Sequence, residues 1–184
     1  YGVQLTSEHQ DSLKPENVMP TFEEFQTLLR INANDKVGPS GISTKLIYAA
    51  GPQAHWHVYL YLSLLIHHPH TAHLLDDANL CRLYLLTKGQ EPEDPELEGF
   101  RTGEATRLLS SMEPIAKLLA LIINGALAKV AAEVVHESQT GFIKDRQMLD
   151  NVVTCDLRMR QAAQADALSA TFLFDFKAAF PSLN

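Results

Sequence analysis

A single carboxylate lies near the end of an apolar segment late in the sequence. Phe172 and Phe174 occupy alternate positions of residues 167–176, which predicts a strand with Asp175 near its end. A carboxylate in apolar surroundings is costly unless it binds something. Mg²⁺ prefers carboxylate oxygens completed by substrate phosphates, and two such ions stabilise the attacking and leaving oxygens in nucleotidyl transfer. Asp175 is therefore either a metal ligand or the cap of a turn or helix.

The elements that precede this strand are mostly helical. Thr21 and Glu24 have the spacing of a capping box, which predicts a helix from there to about Ile31. Apolar spacing predicts further helices over residues 43–50, 53–67, 112–135 and 146–165, with Pro114 in a first turn. We expect the last helix to bury five residues: Met148, Leu149, Val152, Val153 and Leu157.

Two apolar stretches predict an antiparallel hairpin with a long exposed connection. Residues 81–87 form the first strand, which ends at Lys88, and residues 105–110 form the return strand. The connection is acidic and contains Pro92 and Pro95. Residues 34–41 form a loop by their glycine and proline content, and residues 1–19 lack an apolar period, which predicts a polar arm.

Composition excludes several classes of protein. Of 184 residues, 46% are apolar and 20% are charged, which excludes a disordered chain, a collagen-like fibre and a small secreted disulfide scaffold. We expect Cys81 and Cys155 to be reduced, buried thiols of an intracellular protein. We expect no signal peptide, because no basic segment precedes an apolar run near residue 1, and no membrane span, because no apolar run approaches about 18–20 residues.

The net charge of −7 is unevenly distributed along the chain. Residues 1–24 carry a net charge of −4, residues 91–104 carry −5, and the remainder is mildly basic at +2. Nucleic-acid binding proteins usually present a basic surface, so the total argues against that class, whereas the distribution leaves it open.

Histidines are concentrated in one stretch of the sequence, namely His55, His57, His67, His68, His70 and His73. Their spacing fits no common zinc pattern, and no cysteine is near. Surface or helix-end positions are therefore favoured over metal ligation.

Five segments, in the same order, resemble the reverse transcriptases of non-LTR (LINE-type) retrotransposons. Residues 172–180 are similar to the first catalytic motif of that family. The other four segments are residues 36–41 (Lys-Val-Gly-Pro-Ser-Gly), 85–88 (Leu-Leu-Thr-Lys), 107–110 (Arg-Leu-Leu-Ser) with Lys117 ten residues on, and 139–151, which contains Gln-Thr-Gly-Phe followed by Arg146. The resemblance covers roughly residues 20–184.

The resemblance implies a role for each matching residue. Asp175 would bind the catalytic Mg²⁺ (or Mn²⁺) ions together with the backbone carbonyl of Phe176, and Phe180 would be the steric gate beneath the sugar. The cations Lys88 and Arg107 would approach the triphosphate of the incoming dNTP, because fixed positive charge stabilises developing phosphoryl charge. A wall beside the RNA template, which pairs with the DNA primer, would be formed by Gly141, Phe142 and Arg146.

The implied fold class is α+β. It would be mostly helical, with a small antiparallel fingers hairpin and the first strand of a palm sheet. Residues 1–19 would be an arm, 20–165 the fingers and 166–184 the start of the palm. The family's second acidic motif is absent after Asp175, so this segment alone is not expected to polymerise.

The alternative is a catalytically dead retroelement remnant that binds nucleic acid weakly at most. It is favoured by departures from the family pattern at Ser40 (usually Asp), Leu108 (usually Pro), Ala126 (commonly Arg) and Pro181 (often Asp).

Overall fold

The computed structural model describes residues 4–75, 80–87 and 106–165, together with Ala170, Phe172 and Phe174. Its helices are α1 (Ser7–Ser12), α2 (Pro15–Val18), α3 (Phe22–Ile31), α4 (Thr44–Ala49), α5 (Pro52–His67), a 3₁₀ turn (Pro69–Leu75), α6 (Pro114–Val134) and α7 (Met148–Gln164). Strands β1 (Cys81–Thr87) and β2 (Thr106–Met112) form a two-stranded antiparallel sheet. The chain is thus mostly helical with one small sheet, in agreement with the predicted α+β class.

Helix α3 begins with the predicted capping box. The backbone N–H of Thr21 donates to Glu24 Oε2 at 2.8 Å, and the backbone N–H of Glu24 donates to Thr21 Oγ1 at 3.3 Å. These hydrogen bonds satisfy two amides that a helix start otherwise leaves free. The bond from the Thr21 backbone, followed by that from its hydroxyl, lowers the pKa of Glu24, because both favour the carboxylate.

The core lies where α3, α5 and α6 meet. Each helix contributes two buried residues three or four positions apart, which is the spacing of one helix face. The pairs are Phe25 with Leu29, Leu62 with Leu65, and Leu118 with Ile122.

The beginning of the chain is attached to this core. Residues 4–19, within the predicted polar arm, contain α1 and α2. Val18 and Met19 pack against the core cluster, and the Tyr59 hydroxyl donates to the carbonyl oxygen of Pro20 at 3.0 Å.

Helix α6 overturns one expectation. Within the described residues, α6 is the one helix that is long and apolar enough to cross a membrane by length and composition. The lengths of the apolar runs in the sequence predict no such helix. The core helix of a globular domain passes the same test. Leu118, Ile122, Ala126 and Val130 form a buried stripe along α6, whereas Leu121, Ile123 and Leu127 on the same helix are exposed.

The hairpin has the predicted strands, with β2 extended to Met112. Its register pairs Cys81 with Met112 and Thr87 with Thr106. Cys81 is exposed and Cys155 is half-buried, so the expectation of buried thiols is wrong, although both are free. Cys81 is exposed because it begins a two-stranded ribbon, which presents both faces to its surroundings.

The chain divides into two compact units, Tyr1–Val130 and Ala131–Asn184. In the second unit, α7 begins two residues later than predicted. Asp145 has a φ of 64°, a left-handed conformation that cannot continue a helix.

The five α7 residues predicted to be inward are exposed, from 49% for Val153 to 68% for Met148. Periodicity correctly groups them on a helix face, but no described element of this unit covers that face. The prediction of burial was therefore wrong within the described residues.

Candidate functional site

Four of the predicted site residues lie outside the described residues, namely Lys88, Asp175, Phe176 and Phe180. The two predicted metal ligands, Asp175 and Phe176, are therefore not described, and neither is most of the predicted strand over residues 167–176. Of that predicted strand, Ala170, Phe172 and Phe174 are described, and none of the three lies in a strand. The exposed rings of Phe172 and Phe174 stack with centroids 6.4 Å apart.

Arg107 lies near the end of the hairpin from which the connection between the two strands leaves. Its strand partner is Leu86, one position before the terminal pair of Thr87 and Thr106. The Arg107 side chain is exposed, and Lys88 is the next residue in sequence after β1. Arg107 therefore lies beside the terminal pair of the ribbon, and the Lys88 assignment remains a prediction.

The loop of residues 36–41 is anchored to the junction between β2 and α6. The backbone N–H and the hydroxyl of Ser40 donate to the two carboxylate oxygens of Glu113 at 2.6 and 2.7 Å. The Ser111 hydroxyl donates to the Val37 carbonyl oxygen. A Cβ on Gly38 would lie 2.8 Å from Glu113 Cα, so only glycine fits at this approach.

Glu113 was not singled out by the sequence reasoning. It is 8% exposed and directly precedes α6. Two signals could have identified it: a carboxylate directly before a long apolar helix requires donors, and the glycine-rich loop can supply them. Ser40 supplies two donors to this carboxylate, its backbone N–H and its hydroxyl.

Arg146 closes the C-terminal end of α6. Its Nη1 donates to the carbonyl oxygens of His136 (2.7 Å) and Gln139 (2.9 Å). Its Nη2 donates to those of Ala132 (2.8 Å) and Val135 (2.9 Å). The guanidinium is therefore committed to backbone groups that a helix end leaves unsatisfied.

The same loop presents Phe142 to its surroundings. The Phe142 side chain is fully exposed and its φ is 62°, which is uncommon for a bulky residue. The Gln139 side-chain amide donates to the Gly141 carbonyl oxygen at 3.1 Å. Thus Gly141, Phe142 and Arg146 belong to one hydrogen-bonded loop in the second unit, whereas Arg107 belongs to the first.

The histidine-rich stretch is engaged in local hydrogen bonds. His55, which is buried, lies 2.9 Å from the Tyr48 carbonyl oxygen through Nε2, and its Nδ1 lies 3.4 Å from the Gln26 amide nitrogen. His57 and His67 contact carbonyls of their own helix. Within the part of the chain that the structure describes, no group of three or more His, Cys, Asp or Glu side chains could hold a metal ion.

Comparison with known proteins gives no family assignment. No protein-family model matches the chain, and no curated protein matches it.

Proposed function

We propose that this chain is the fingers and early palm of an RNA-directed DNA polymerase of the non-LTR retrotransposon type. The observation that carries the proposal is the set of five motifs in family order, which ends at Asp175. The polymerase would extend a primer 3′-OH on an RNA template with dNTP.

The folded elements support the proposal. The loop of residues 36–41, the hairpin end with Arg107, and the loop that carries Gly141 and Phe142 are each held by specific hydrogen bonds. A template and a triphosphate can be positioned only by a backbone of fixed geometry. Catalysis of phosphoryl transfer depends on such positioning and on preorganised charge.

The metal would be held by the Asp175 carboxylate and the Phe176 carbonyl. This donor set consists of hard oxygen ligands, which suits Mg²⁺. When bound, the ions would stabilise the charge that develops on the transferred phosphoryl group.

The test is primer extension by the protein translated through and beyond Asn184, with RNA template, DNA primer, dNTP and Mg²⁺. Asp175→Ala should abolish extension. Asp156→Ala is the matched control, since Asp156 is a half-buried acid paired with Arg160 at 2.8 Å. Equal activity of Asp175→Ala and the unsubstituted protein would refute the metal assignment.

The second candidate, a catalytically dead remnant, is favoured by Leu108 and Ala126. Both departures are accommodated by the fold. Leu108 pairs with Leu85 and retains a backbone N–H that proline lacks, and Ala126 is buried in the α6 stripe, where arginine would be a buried charge. A stop codon or frameshift soon after Asn184 would favour the remnant, and an open frame that encodes an acidic hairpin motif would favour the enzyme.

A further inference from the structure

Glu113 joins two segments that carry residues of the predicted motifs. Its carboxylate accepts hydrogen bonds from the backbone N–H and the hydroxyl of Ser40, at 2.6 and 2.7 Å, in the loop of residues 36–41. Glu113 itself lies between the last residue of β2, Met112, and the first residue of α6, Pro114. All these residues belong to the first compact unit. The Glu113 side chain therefore ties the loop to the hairpin.

Hydrogen bonds fix the backbone on both sides of Lys36, whose side chain is exposed. The backbone N–H of Lys36 donates to Asn34 Oδ1 at 3.1 Å. The carbonyl oxygen of the next residue, Val37, accepts a hydrogen bond from the Ser111 hydroxyl of β2. The loop is thus attached to the hairpin both at Val37 and, through Glu113, at its far end.

The loop is attached to the ribbon face that carries Arg107. Ser111 and Arg107 are four positions apart on β2, and alternate side chains of a strand point to the same face. This spacing corresponds to about 13 Å along the strand. The loop with Lys36 is therefore held at one end of the face, and Arg107 lies near the other end.

We propose that Glu113 is a positioning residue for nucleic-acid binding, because it holds the loop of residues 36–41 on the hairpin and so fixes Lys36 relative to Arg107. This role rests on the proposed function, since the ligand is the RNA–DNA primer–template of that reaction. A cation on a loosely held loop loses more conformational freedom when it binds a phosphate, which weakens the contact. Glu113 itself does not touch the duplex, since its carboxylate is buried and would repel phosphates.

The test measures the affinity for an RNA–DNA duplex by fluorescence anisotropy, with the protein translated through and beyond Asn184. Glu113→Gln removes one negative charge, so an effect of charge alone would tighten binding. The glutamine has one acceptor oxygen in place of two, and loss of a hydrogen bond to Ser40 should instead weaken binding by about two- to fivefold, up to the worth of one exposed ionic contact. Glu23→Gln makes the same change of charge at an exposed position of α3 and should not weaken binding.

Ser40 allows the same test without a change of charge. Ser40→Ala removes the hydroxyl donor and should weaken binding in the same direction as Glu113→Gln. Ser40→Thr retains the hydroxyl and should bind like the unsubstituted protein. Urea denaturation of each variant shows whether the protein is folded under the conditions of the binding assay.

A double-mutant cycle with Lys36→Gln separates positioning from a general loss of stability. In the unsubstituted protein, Lys36→Gln should weaken binding by about three- to fivefold, the upper range for one exposed ionic contact. In the Glu113→Gln background it should change affinity by less than about twofold, because Lys36 is no longer held in place. In primer extension, Glu113→Gln should raise the KM for primer–template and change kcat by less than about twofold, as expected when binding alone is lost.

The outcomes distinguish this role from the proposed function. Additive effects of Glu113→Gln and Lys36→Gln, tighter binding by Glu113→Gln, or equal affinities of Ser40→Ala and Ser40→Thr would overturn the positioning role and leave the proposed function in place. If the unsubstituted protein neither bound the duplex nor extended a primer, the proposed function and the positioning role would both be wrong.

Discussion

Glu113 and Arg146 lie at opposite ends of α6, and each has the charge sign that its end of the helix favours. Glu113 directly precedes the first turn, where the partial positive charge of the helix dipole lies. Arg146 contacts the last carbonyls, where the partial charge is negative. Each residue also holds a loop that carries a predicted motif. The loops that carry predicted binding residues are thus held in place by Glu113 and Arg146, whose side chains form hydrogen bonds within the protein itself.

Arg146→Ala is expected to lower the free energy of unfolding by about 2 kcal/mol, because charged hydrogen bonds contribute about 1.5–3 kcal/mol. Arg146→Lys should not restore it, since one ammonium cannot reproduce the planar fork that reaches four carbonyls. Urea denaturation followed by circular dichroism measures the loss. Lys144→Ala, an exposed cation in the same loop, is the control and should be nearly neutral.

Gly38 and Gly41 are required for different reasons. Gly38→Ala should cost about 1–3 kcal/mol by overpacking against Glu113, and the larger Gly38→Asn should cost more. Gly41 has a φ of 80° with nothing near its missing Cβ, so Gly41→Ala should cost about 1–2 kcal/mol and Gly41→Asn less, since asparagine tolerates this conformation. Thermal unfolding of the four variants tests the contrast. The same order of Ala and Asn at both positions would contradict it.

At the level of elements, local signals were sufficient to predict where most helices and strands lie. The Thr21 capping box marked the start of α3, and an apolar stretch marked β1 from Cys81 to Thr87. Burial was less predictable. The apolar face of α7 was correctly grouped by period, but periodicity does not contain information about which element covers a face.

The site was predictable to a similar extent. Motif order indicated which loops to examine, and the Lys88 and Asp175 assignments remain predictions. The contacts of Glu113 with Ser40 could not be derived, because they join residues 73 positions apart in sequence. Arg146 reaches the end of α6 from a loop in which Phe142 and Asp145 are left-handed, and neither residue type requires that conformation.

Helix α6 offers a direct test of its position in the core. Leu118→Ala should lower the free energy of unfolding by about 2–5 kcal/mol, because Leu118 is fully buried in the cluster with α3 and α5 residues. Leu121→Ala, on the same helix but 37% exposed, should cost less than about 1 kcal/mol. Chemical denaturation gives both values. Equal costs would show that α6 does not bury the stripe described above.

For the whole molecule, the distribution of charge matters more than its total. The acidic excess is confined to residues 1–24 and 91–104, and the remainder carries +2. Lys36 and Arg107 belong to that remainder and are exposed. A net charge of −7 is therefore compatible with local attraction of a nucleic-acid strand.

If the proposed function holds, affinity for an RNA–DNA duplex should fall steeply as salt is raised, since phosphate contacts release counterions. Lys36→Gln and Arg107→Gln should each reduce the slope of log affinity against log salt by about 1. Lys14→Gln is the control, because Lys14 is paired with Asp11 at 2.6 Å within the acidic region. An unchanged slope in all three variants would count against a duplex on this surface.

The buried ring of His55 has one further consequence, which concerns spectroscopy. A carbonyl can only accept, so the contact of Nε2 with Tyr48 requires a hydrogen on that nitrogen, and the Gln26 amide then donates to Nδ1. The imidazole is held as a single tautomer and shielded from solvent. In a proton NMR spectrum recorded in water, this ring N–H should give a slowly exchanging downfield resonance. That resonance would report on the integrity of the packing of α3, α4 and α5 without any label.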